Sequence, residues 1–125
     1  MSDRELLELA AKAAGYKKYY SHYLGRDSFV TYEEAYYSDF KECQVVGEKT
    51  MNWNPLNDDG DALRLAVKLH MSVMVFPDPD QRSEACSHKA ANFCDEAARH
   101  NGGDIYAATR RAIVRAAAEI GKAMP

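Results

Sequence analysis

An α+β fold, with helices flanking a mostly antiparallel sheet in layers, is predicted by three features of this 125-residue sequence. Apolar residues recur at helical spacing near both ends and again in the middle. The run "MSVMVF", residues 71–76, is short, apolar and stopped by "PDPD", which reads as a strand followed by a turn. A lone strand needs partners, and residues 84–89 and 91–99 are the segments placed to supply them. The stretch "ANFCDEAARH" suits a helix as well as a strand.

The first helix is expected over about residues 3–14. Ser2 and Glu5 match a capping box, Leu6, Leu9, Ala10 and Ala13 form its stripe, and Gly15 supplies the left-handed residue after it. From Tyr16 to about Met51 the helical period is lost, and seven of the eight tyrosines fall between Tyr16 and Tyr37. Aromatic and β-branched residues there suit a β-meander or a long ordered excursion, with turns at Gly25-Arg26-Asp27 and Gly47-Glu48. The second helix, about Asp59 to Leu69, carries a stripe of Ala62, Leu63, Ala66 and Leu69, while Arg64 and Lys68 project to the other side. The last helix is an unbroken stripe of Ile105, Ala108, Thr109, Ala112, Ile113, Ala116, Ala117 and Ile120, capped by Asp104. Its buried face is mostly alanine and isoleucine, so it can approach a neighbour closely.

The length fits one domain, spanning residues 1–125, that buries roughly two-thirds of its unfolded surface. With 46% hydrophobic and 28% charged residues the composition is globular and not that of a disordered chain. A net charge of -3 argues against a nonspecific nucleic-acid coat, which needs clustered Lys and Arg. No apolar run reaches the roughly 20 residues of a membrane span, and "MSDRELLELA" is acidic where a signal peptide is basic. Cys43, Cys86 and Cys94 follow no disulfide framework. Together these features predict a cytoplasmic location.

The stretch "WNPLNDDGD", residues 53–61, gathers three carboxylates, Asp58, Asp59 and Asp61, just ahead of an apolar helix. A calcium loop of the EF-hand type counted from Asp59 would need Glu at its twelfth position, where His70 stands. Helix capping explains the stretch better: Asn57 or Asp58 accepts the exposed N–H groups, and the neighbouring carboxylates favour the positive helix end. Trp53 is expected to anchor the entry to that helix.

"WNPLNDDGDALRLAVKL", with "DRELLELAAKAAG" near the start and "YAATRRAIVRAAAEIGKAMP" at the end, resembles the phage ABA sandwich domain proteins, small products of bacteriophage and prophage genomes. The matching blocks are residues 3–15, 53–69 and 106–125. The resemblance implies an α/β/α sandwich and a phage origin, hence the cytoplasm of a bacterial host. It carries no reaction and no catalytic residues.

Further residues stand out. Arg110, Arg111, Arg115 and Lys122, opposed only by Glu119, make a basic face on the last helix that suits an anion, an acidic protein surface or plain solvation. Cys86, His88 and Cys94 are three potential zinc ligands, with a fourth only where His100 or His22 reaches over. The tyrosine-rich segment "VTYEEAYYSDFKE" offers Tyr32, Glu33, Glu34, Tyr36, Tyr37 and Asp39 as an acidic, aromatic interaction surface, although tyrosines serve cores as well.

Taken with the resemblance, these residues predict a nonenzymatic phage accessory protein that counters host defence by binding, without metal or cofactor. Arg110, Arg111, Arg115, Trp53 and Tyr106 are the candidates for sequestering a small nucleotide signal, and the tyrosine-rich segment is the candidate for covering a host defence protein. A homo-oligomer is expected as well; the alternatives are a structural homo-oligomer that binds nothing else, and a hydrolase using Asp58, Asp59 and Asp61 with a divalent ion.

Overall fold

The computed structural model describes residues 1–21, 26–30, 53–77, 79–87 and 93–125. They belong to two compact units, one made of Met1–Ala14 with Asn54–Pro125 and the other of Gly15–Trp53. The predicted interaction residues Tyr32, Glu33, Glu34, Tyr36, Tyr37 and Asp39, together with Gly25, Gly47, Glu48 and His88, lie outside the described residues.

In the larger unit, helix α1 spans Asp3–Ala14. The Glu5 N–H donates to Ser2 Oγ at 3.2 Å, and the Ser2 hydroxyl donates to Glu5 Oε1 at the same distance. The two side chains therefore close the helix start on each other. Gly15, just past the end, has φ 81°, a conformation that costs glycine nothing. Leu6 and Ala10 are buried as the period predicts, but Ala11 and Ala14 are more buried than Leu9 and Ala13. The contact face is thus rotated by one residue.

Helix α2 spans Asp59–Lys68. The expected stripe included Leu63, which is 64% exposed, and missed Leu65, which is fully buried. Leu65 follows Ala62 by three residues and precedes Leu69 by four, so it completes the helical repeat, whereas Leu63 lies a full step round the axis. Arg64 and Lys68 are exposed as expected.

Strands β3 (Met71–Phe76), β4 (Arg82–Ser87) and β5 (Phe93–Ala97) form an antiparallel sheet in that order. The pair β1 (Lys17–Ser21) and β2 (Arg26–Val30) belongs to the smaller unit. Residues 93–97 form a strand and not a helix, since they pair with β4 along its length, and only Ala98–His100 turn, as one 3-10 turn. In β4 burial alternates strictly: Ser83, Ala85 and Ser87 are buried while Arg82, Glu84 and Cys86 are half-buried. Register places Met71, Val73 and Val75 on the Ser83 face, and Ser72, Met74 and Phe76 on the opposite face with Arg82, Glu84 and Phe93.

Helix α3, Ile105–Ala123, touches β4, β5, α1 and α2. Beyond the predicted stripe it also buries Val114, Ala118 and Gly121, because neighbours meet it on more than one side. The Thr109 hydroxyl donates to the Ile105 carbonyl at 2.7 Å, which leaves its oxygen to accept from Ser83 at 2.6 Å. That bond satisfies a fully buried serine on the sheet. The helices and sheet make the α+β fold that the sequence predicts, and no helix among the described residues is long and apolar enough to cross a membrane.

In the smaller unit the β1–β2 hairpin runs in register from Lys17 opposite Val30 to Ser21 opposite Arg26. Arg26 and Asp27, expected in a turn, are the first residues of β2, drawn into the strand by pairing with Ser21 and Tyr20. The Tyr16 and Trp53 rings meet edge to face, with centroids 5.2 Å apart.

A Cβ at Gly121 would stand 2.0 Å from the Leu9 carbonyl oxygen, so α1 and α3 can meet as they do only with glycine there. Gly121→Ala is expected to destabilise the fold by about 2 kcal/mol or more, through overpacking that two backbones cannot relax. Urea denaturation measures this directly, and the melting temperature should fall by several degrees.

Candidate functional site

Two sets of residues singled out in the sequence, the three carboxylates and the arginines of α3, meet at the start of α2. Asp58, not Asn57, is the N-cap: its Oδ2 accepts the Asp61 N–H at 2.8 Å. Asn57 and Asp58 instead donate their own N–H groups to the Asn54 carbonyl, closing the turn before the helix. Asp61 is buried and accepts from the Asn54 N–H at 2.9 Å and from Arg64 at 2.8 Å. Asp59 is exposed and pairs with Arg110 at 2.6 Å. Each carboxylate thus serves a different partner, one closing the helix end, one holding the preceding loop, one reaching α3.

The arginines of α3 likewise diverge. Arg110 donates to the Leu56 carbonyl at 2.8 Å as well as to Asp59, tying α3 to the loop before α2. Arg111 pairs with Asp3 on α1 at 3.0 Å. Arg115 reaches β5, bonding the Asp95 carbonyl at 2.9 Å and the Glu96 carboxylate. The basic face of the sequence is therefore distributed over three neighbours, and its arginines do not converge on one point. Of the residues expected to gather round a nucleotide, Arg110 and Tyr106 share a surface, Arg111 and Arg115 point to α1 and β5, and Trp53 belongs to the other unit.

Cys86 and Cys94 lie on opposite faces of the sheet, because Cys86 opposes Phe93 while Cys94 opposes Ala85. They cannot share a metal ion from those positions. Burial pushes the Cys94 thiol up from its ordinary value. Among the described residues no three His, Cys, Asp or Glu side chains come together at metal-binding spacing.

Arg110 and Tyr106 border a groove of about 420 Å³ between α2, β3 and α3. Buried Ala62, Ala66 and Ile113 form its base. Its margins are Leu63, Val73, Val75 and Tyr106, which are 64%, 39%, 55% and 68% exposed. The small alanines of α2 leave the space, and among the described residues β3 is the last strand of the sheet on that side. Sequence reasoning placed Leu63 in the core and gave Val73 and Val75 no functional role. A signal was present: no residue of "MSVMVF" is charged, although a strand with one solvated face ordinarily alternates.

The described residues thus define an α+β protein with an apolar groove beside an internally paired set of charges. Comparison with protein-family models, with curated proteins and with solved structures finds no match to the chain.

Asp58→Ala is expected to cost about 1 kcal/mol, the usual worth of an N-cap. Asp59→Ala should cost less than about 1 kcal/mol, since its pair with Arg110 is open to solvent on the carboxylate side. Urea denaturation of both variants checks the order. Saturating magnesium or manganese should leave the wild-type melting temperature unchanged, and a rise of several degrees that Asp59→Ala removes would speak for metal chemistry instead.

Proposed function

We propose that this protein acts without catalysis, by binding another protein through the groove between α2, β3 and α3. The observation that carries this reading is the exposure of Leu63, Val75 and Tyr106 around one concavity, since contiguous exposed apolar side chains beside a groove are the usual mark of a docking surface. An aromatic at the margin and small residues at the base suit the insertion of a partner's apolar side chain.

Sequestering a nucleotide is supported less well. A phosphate calls for several donors converging on one point, whereas the groove offers one arginine that already serves Asp59 and the Leu56 carbonyl. The Asp59 carboxylate beside it would repel an anion. The resemblance to phage ABA sandwich proteins supplies the biological setting of the proposal: a phage accessory protein that covers a protein of the bacterial host's defence. The tyrosine-rich segment at residues 32–39 remains a second candidate surface for the same partner.

Leu63→Asp and Tyr106→Asp, both at exposed positions, should leave the melting temperature within a few degrees of wild type while removing a host protein that the wild-type chain captures from bacterial lysate. Arg4→Ala, on the exposed side of α1, should keep it. A cyclic dinucleotide that raises the melting temperature, with the rise abolished by Arg110→Ala, would overturn the reading in favour of sequestration.

A further inference from the structure

We draw no further inference here: the strongest candidate, the face of the three-stranded sheet turned away from α3, where Met74 and Phe93 are exposed and Arg82 already pairs with Glu84 and Asp95, carries none because nothing among the described residues shows what covers it.

Discussion

The approach of α1 to α3 at Gly121 is the constraint on which the larger unit depends. Helix α1 comes before the residues of the smaller unit in sequence, and α2 and the sheet come after them, so α1 joins the larger unit through its packing on α3. An alanine-rich helix with a glycine at the crossing lets the two backbones nearly touch, and Ala10, Ala11 and Ala14 on α1 and Val114, Ala117 and Ala118 on α3 are all buried. Small residues contribute little area each, but a close crossing lets many atoms pack at full density. The same helix then carries the sheet through its other side.

With so little bulk in the contact, polar side chains add direction. Arg111 reaches α1, Arg110 reaches the loop before α2, and Arg115 reaches β5, so α3 is joined to each neighbour by an arginine as well as by packing. The Asp59–Arg110 pair joins what looked in sequence like an acidic site and a basic site, and each occupies the other. Ion pairs of this exposure add little stability.

The groove and the exposure of Val73, Met74 and Val75 on β3 have one physical origin. A three-stranded sheet under one long helix leaves β3 only partly covered, and β3 carries apolar residues on both faces where a strand with one solvated face would alternate. Val73 and Val75 turn toward the groove, and Met74 turns away from it.

Local chemistry was legible in the sequence wherever one segment decides for itself. The capping box at Ser2 and Glu5, the Asp104 cap and the left-handed Gly15 are all set by neighbours a few residues away, and they stand where the sequence puts them. Capping at the acidic stretch was legible as well, though only geometry separated Asn57 from Asp58. What required distant partners was not legible: a helix period names a stripe but not its edges, so Leu63 and Leu65 exchanged roles, and Arg26 and Asp27 joined a strand because Ser21 and Tyr20 pair with them. The partners of Arg110, Arg111 and Arg115 lie between 19 and 108 residues away. The sequence by itself determined the elements, their caps and the α+β class, because those rest on local hydrogen bonds and periodicity. Tertiary structure alone decided which charges cancel, which apolar residues stay in water and where a groove opens, because these depend on which faces meet.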